Sequence, residues 1–346
     1  MNEQSAVSAR PEGAEERRHS GWRKAGLLLL LCLLLPPACA LSFQTLATAR
    51  DARRYPPPGQ LVDVGGYQMH IFCQGEQRGG APTVVLDASY PATVSSWIWI
   101  QPQVAAVARV CAYDRAGAGW SDPSPSAPNI GQMAAELQRL LEASGEPGPY
   151  ILVGHSWGGA VTRLFAASHP QQVDGLIWIE ALHPDGWARR GLPESTLGGI
   201  PPSQAATIPV LARLGLFRLL PGLRGLWGIV PGLPQRQQAE LTAYFNSSKW
   251  AEHIVAVEQE LPTSLVQLRE AGGLADIPLA IVIGAAGEEA SGIGLQLQRE
   301  LAALSTNSEE HRVAGADHSG LVHDVRYARQ TGDVIVQMIA RVQSMR

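Results

Sequence analysis

The chain has 346 residues, with 27 Lys plus Arg against 31 Asp plus Glu and a net charge of -4. Hydrophobic residues are 45% and charged residues 17%, a globular composition that argues against disorder. The near-neutral balance offers no basic patch for a phosphate backbone, so no nucleic-acid partner is expected. With 36 Gly and 25 Pro, many tight turns are expected, and a coiled coil or helical bundle is disfavoured.

The first feature in chain order is an apolar segment. Arg17, Arg18, Arg23 and Lys24 precede the apolar run Ala25 to Leu41, and Ala38-Cys39-Ala40 has the small-x-small form of a cleavage site. Residues 1–24 read as a disordered cytoplasmic leader. Residues 25–41 read as a signal sequence or a signal anchor, cleaved or retained, and 42–59 as a tether. The remainder is expected to be membrane-anchored or secreted, with its catalytic domain extracytoplasmic.

From residue 60 the pattern changes to short apolar runs bounded by Gly, Pro and Asp, which is the strand signal. Leu61 to Val64 and Met69 to Cys73 read as a hairpin around Gly65-Gly66. Further strands are expected at Thr83 to Leu86, Arg109 to Tyr113, Tyr150 to Val153, Leu176 to Ile179, Leu279 to Ile283 and His311 to Ala314. Helices fall between them, at Ile130 to Ala143, Gly158 to Ser168, Gly294 to Leu304 and Arg329 to Arg341. Apolar strands alternating with helices predict an α/β fold with a largely parallel sheet covered on both faces. Residues 183–275 break the rhythm with leucine-rich helical spacing and are expected to form a helical cap. The core then falls into two parts, 60–182 and 276–346.

The strongest local motif is Gly154-His155-Ser156-Trp157-Gly158-Gly159, between a strand and a helix. Small residues two before and two after the serine let the backbone close a sharp turn. The hydroxyl then projects above the sheet at the positive end of the helix. Ser156 is the candidate nucleophile.

On these residues the chain, over about 60–341, resembles an α/β-hydrolase fold protein of the serine esterase kind. Arg109-Val-Cys-Ala-Tyr-Asp-Arg-Ala-Gly-Ala-Gly-Trp-Ser-Asp122 resembles the segment after the fourth strand in many esterases. The resemblance implies an eight-stranded, mostly parallel sheet in the order 1-2-4-3-5-6-7-8 with a helical cap. It also implies a triad in the order serine, acid, histidine. His318, in Gly315-Ala-Asp-His-Ser319, occupies the loop of the general base, with His323 as the alternative. The neighbouring His155 is expected to pack or bond in the core, and His183 to lie at the cap entrance. The acid is Glu180, at the end of Leu176-Ile-Trp-Ile-Glu180, a placement that resembles the haloalkane dehalogenases; Glu288 or Glu289 after the seventh strand is the alternative. The oxyanion donors implied are the backbone N–H groups of Trp157 and Tyr90. The family's His-Gly pair is absent from Ala88-Ser89-Tyr90-Pro91.

Trp157 and Trp99 are candidates to line the pocket. Asp114, Arg115 and Asp122 read as structural charges. Cys73 and Cys111 lie on strands the fold makes neighbours, so a disulfide and a pair of buried thiols both fit. With no phosphate loop, dinucleotide glycine set or metal-spaced cluster in the sequence, no cofactor and no metal are expected. The expected activity is cleavage of carboxylic esters through an acyl-enzyme, with a small apolar ester or acyl substrate. A small-substrate peptidase or amidase, and a non-catalytic binding protein of the same fold, are the alternatives.

Overall fold

The computed structural model describes residues 13–78, 80–192, 205–220, 222, 230–286 and 292–346, with side chains from residue 22 onward. Eight strands form one sheet: β1 Gln60–Asp63, β2 Gln68–Gln74, β3 Thr83–Asp87, β4 Val110–Tyr113, β5 Tyr150–His155, β6 Val173–Ile179, β7 Leu279–Gly284 and β8 Ser308–Val313. Their order is β1-β2-β4-β3-β5-β6-β7-β8, as the resemblance implies. The β1–β2 and β2–β4 pairs are antiparallel, and all pairs from β4 to β8 are parallel.

The helices, in chain order, begin with α1 Gly13–Arg54, α2 Gln101–Ala105, α3 Ile130–Ser144 and α4 Trp157–Ser168. Between β6 and β7 come α5 Gly186–Arg189, α6 Thr207–Arg213, α7 Leu216–Leu219, α8 Gln235–Phe245, α9 Ser248–Gln259 and α10 Leu261–Glu270. After β7 come α11 Gly292–Ala302, α12 Gly320–His323 and α13 Val325–Met345.

Period-two alternation divides the strand side chains between two cores. Leu152 on β5, Trp178 on β6 and Ile281 on β7 join Met133, Leu137 and Phe165 of α3 and α4 on one face. Val153, Ile177 and Val282 meet Ile335, Met338 and Ile339 of α13 on the other. Both faces are buried, which is why these strands are apolar throughout. The segment between β6 and β7 builds a third core from Phe217, Leu241, Phe245, Trp250 and Ile254.

The amino-terminal segment differs from the expectation. The helix runs unbroken from 13 to 54, through Pro36 and Pro37, in place of the disorder expected up to residue 24 and the tether expected from residue 42; residues 1–12 of the expected leader lie outside the described residues. Residues 42–54 hold no glycine or proline and are rich in Ala and Arg, which favour helix. The last turns are docked. Gln44 Nε2 donates to the Asn246 carbonyl at 2.7 Å, Arg218 pairs with Asp51 at 2.6 Å, and Trp120 Nε1 donates to the Tyr55 carbonyl at 2.9 Å.

Cys73 and Cys111 face each other across β2 and β4 and are joined in a disulfide. Glu146 lies close enough for these three residues to share an ion, but the disulfide consumes both thiols and the carboxylate takes a two-pronged contact from Arg109. The disulfide closes a 38-residue separation, for which chain entropy alone gives about 4 kcal/mol. Replacing both cysteines with serine should lower unfolding free energy by about 2–4 kcal/mol in denaturant titrations. Unreduced, denatured full-length protein should show only the thiols of Cys32 and Cys39.

Candidate active site

Four loops at the carboxyl ends of parallel strands meet above the sheet, where open α/β sheets bind ligands. Ser156 lies between β5 and α4 with φ 55° and ψ -112°, a left-handed conformation that non-glycine residues rarely adopt. The turn is held from both sides: Ser156 N–H donates to the Ile179 carbonyl at 3.0 Å, and its own carbonyl accepts from Leu182 N–H at 3.0 Å. The glycine pattern has a steric basis. A Cβ at Gly154 would strike the backbone of Gly158 and Gly159, and one at Gly158 would strike the Asp87 carbonyl.

Glu180 follows β6, also at positive φ (42°), and its side chain is fully buried. Its backbone N–H is held by the Val282 carbonyl at 3.0 Å. One carboxylate oxygen accepts from Gly284 N–H at 2.8 Å, and the other lies 2.6 Å from His318 Nδ1. The His318 side chain is 49% exposed, so the imidazole spans from a buried carboxylate to open space. Its carbonyl lies 3.0 Å from His155 Nε2, and the two rings meet tilted by 38° with centroids 4.7 Å apart. Burial, reinforced by the neighbouring His318 and His323, pushes the His155 pKa well below the usual histidine value. His155 is therefore neutral and can donate to that carbonyl.

His323, the alternative base, is buried, and its Nδ1 pairs with Ser319 Oγ at 2.9 Å. Burial first, and the neighbouring His318 second, push its pKa down to about 4. Glu288 and Glu289 lie outside the described residues.

A cavity of about 620 Å³ is walled by Ser156, Glu180 and His318, by Leu182, His183, Trp187, Arg190 and Leu192 from the start of the cap, and by Leu297 of α11. This volume suits a small organic molecule. His183 lies on the cavity wall, its Nε2 3.4 Å from Glu300 of α11. The tryptophans do not line the cavity as expected. Trp157 is buried and its Nε1 points to Met133 Sδ at 3.2 Å, because the helix turns this side chain into the core. Trp99 Nε1 is engaged with the carbonyls of Gly232 and His323.

The loop after β3 carries Tyr90, whose hydroxyl donates to the Ile254 carbonyl at 2.8 Å. Its backbone path is set by Arg115. That guanidinium pairs with buried Asp87 and donates to the carbonyls of Ala88 at 2.7 Å and Ser89 at 2.9 Å. Burial raises the Asp87 carboxyl above the usual range, although Arg115 and Tyr113 oppose the shift. Arg115 thus acts where the His-Gly pair is missing, a role its sequence position alone does not show. Asp114 is likewise structural: it accepts from Val94 and Trp120 N–H and lies 2.9 Å from His70 Nδ1. Asp122 accepts from Gln68 N–H at 3.1 Å. Trp157, as the first residue of α4, has a backbone N–H without an intrahelical acceptor.

The model of the α/β hydrolase fold family matches residues 82–193. An AB hydrolase superfamily protein of Gibberella zeae is 36% identical over 104 residues, 29% of this chain and 32% of that protein. The first curated relatives are thus matched over about a third of their length, 36% and 32%. Among solved structures, a putative ancestral haloalkane dehalogenase superposes with a TM-score of 0.63 at 22% identity, covering 82% of this chain and 99% of that one. A putative lipase from Acinetobacter baumannii superposes with a TM-score of 0.60 at 18% identity, covering 88% and 97%. The chain thus has the α/β-hydrolase fold, and its residues 82–193 match the model of that family.

Two stability effects are expected. Arg115→Met strands Asp87 in the core and should cost about 3–5 kcal/mol in denaturant unfolding, whereas exposed Arg326→Met should cost under about 0.5 kcal/mol. The second concerns acid. Unfolded His323 takes up a proton near pH 6.5, while the folded residue resists until about 4. Stability should therefore fall as pH drops through this window, by about 1.4 kcal/mol per pH unit for this group. His323→Gln should make thermal midpoints measured from pH 6.5 to 4 less steep.

Proposed function

We propose that the protein hydrolyses carboxylic esters through an acyl-enzyme on Ser156. The observation that carries this reading is the buried Glu180 carboxylate 2.6 Å from His318 Nδ1, with His318 and Ser156 on the wall of one cavity. The Ser156 hydroxyl attacks the ester carbonyl while His318 Nε2 takes its proton. Glu180 holds the ring in the required tautomer and supports its positive charge. The N–H groups of Trp157 and Tyr90 receive the oxyanion. His318 then protonates the departing alcohol. Water, deprotonated by the same imidazole, releases the acid and restores the serine.

A serine nucleophile argues against the carbon–halogen chemistry named for one structural neighbour, and against epoxide opening on the same ground. Opening a carbon–halogen bond or an epoxide displaces at saturated carbon, and a serine would be left there as an ether that water does not cleave. A carboxylate nucleophile leaves an ester, which water does cleave. Serine suits attack at a carbonyl. Leu182, Trp187, Leu192 and Leu297 on the cavity wall favour an apolar acyl or alcohol group. Among the described lining residues the cap contributes no carboxylate to meet the free amino terminus of a small peptide; besides Glu180 the wall carries one other acid, Asp317, next to His318.

The same reading places α1 in a membrane, as signal sequence or retained anchor. Trp22–Arg54 has a mean hydropathy of 2.3 in its most apolar window, none of it buried. The Cys73–Cys111 disulfide agrees with a catalytic domain outside the reducing cytoplasm.

A fluorophosphonate probe should label the wild-type protein on Ser156, and Ser156→Ala should lose both labelling and p-nitrophenyl ester hydrolysis. Glu180→Gln should lower kcat by roughly 10²–10⁴ with KM little changed, while Glu288→Gln keeps the rate. Loss of rate in E288Q with full rate in E180Q would overturn the assignment of the acid. Absence of probe labelling would favour the binding-protein alternative.

A further inference from the structure

We infer that the cap's α6–α7 corner is a lipid-docking surface, held at the bilayer interface by its clamp on α1. The inference rests on reading α1 as membrane-inserted and adds to it a second contact with lipid, made by the hydrolase domain itself.

Helix geometry carries the argument. The apolar run ends at Leu41, and α1 continues without a break. Gln44, three residues on and thus about 4.5 Å further along the axis, is already buried against the cap and bonded to the Asn246 carbonyl. Gly215, at the start of α7, lies against the Phe43 ring. Arg218 then grips Gln44 and Asp51, at 2.8 Å and 2.6 Å. The interfacial zone of a bilayer is about 5–7 Å deep on each side. With residues 25–41 in the hydrocarbon, no tether is left to lift the cap clear, and the Phe43–Gly215 contact falls at headgroup depth.

The exposed side chains here are of the matching kind. Leu46 is 72% exposed on α1, Val210 50% on α6, and Leu219 and Leu220 58% and 54% at the end of α7. Such residues gain by leaving water, at about 25 cal/mol per Å² of apolar surface. The occupant that fits exposed apolar side chains on the segments clamped beside a spanning helix is the lipid surface.

The test uses full-length protein in phosphatidylcholine nanodiscs that contain lipid spin-labelled near the headgroup, to read the cap positions, or at the end of the acyl chain, to read Cys32. A fluorophore is placed on Cys32 (in Cys39→Ser), or on Val210→Cys, Leu219→Cys or, as a remote control, Val266→Cys, each in Cys32→Ser/Cys39→Ser. The expected result is quenching at Cys32, and at V210C and L219C at least twofold more than at V266C. Arg218→Ala should reduce quenching at L219C and leave Cys32 unchanged. Quenching at Cys32 with V210C and L219C no different from V266C would overturn the docking surface and leave the anchor standing. No quenching at Cys32 would overturn both. Disulfide-linked dimers through L219C, with shielding from lipid, would assign the surface to a second copy of the chain and overturn the proposal.

Discussion

The hydrogen bond between Glu180 and His318 Nδ1 is the constraint on which the site depends. It joins the loops after β6 and β8, which are separated in the sheet by β7. A buried carboxylate is costly unless it is satisfied, and Glu180 meets the cost with the imidazole on one oxygen and Gly284 N–H on the other. The second bond comes from β7 itself. All three strands must therefore keep their parallel register for one carboxylate to be paired. The same alignment lets Ile179 hold the Ser156 N–H, so the serine turn and the acid share a strand end.

On the other side of the serine the organising group is Arg115. It neutralises Asp87 inside the core and fixes two successive carbonyls of the loop that follows β3. A guanidinium suits this task because its planar fork reaches several acceptors at once. Among the described residues three non-glycines have positive φ, and two of them, Ser156 and Glu180, belong to the candidate site; the third is Ala275, before β7. Such conformations cost on the order of 1–3 kcal/mol each and persist only where the surroundings enforce them.

Much of this was legible in the residues. Alternating apolar strands and the glycines around Ser156 state the fold and the turn locally. Glu180 could be read as a lone carboxylate ending an apolar strand. The rest depends on what distant segments bring together. Arg115 sits 28 residues from Asp87, and nothing in its own neighbourhood names that partner. Trp157 follows the serine and so suggests a pocket wall, yet the direction of a helical side chain sends it into the core. The run from 42 to 54 follows an apolar segment and precedes three prolines, which suggests a tether. Its helix-favouring composition and its bonds to the cap make it a strut instead.

The indole of Trp99 has a mechanical consequence. Its single N–H is shared between the carbonyl of Gly232, in the cap segment, and that of His323, at the end of the short helix that follows His318. A side chain at Gly232 would collide with the His323 carbonyl, so the two backbones touch at this point. One N–H cannot follow both carbonyls if they part. At this corner the cap is fastened like a latch to the segment that carries His318, so ligand entry from that edge would disturb the placement of His318 against Glu180. The opposite margin, where Leu182 to Leu192 meets α11, can yield without pulling on that latch.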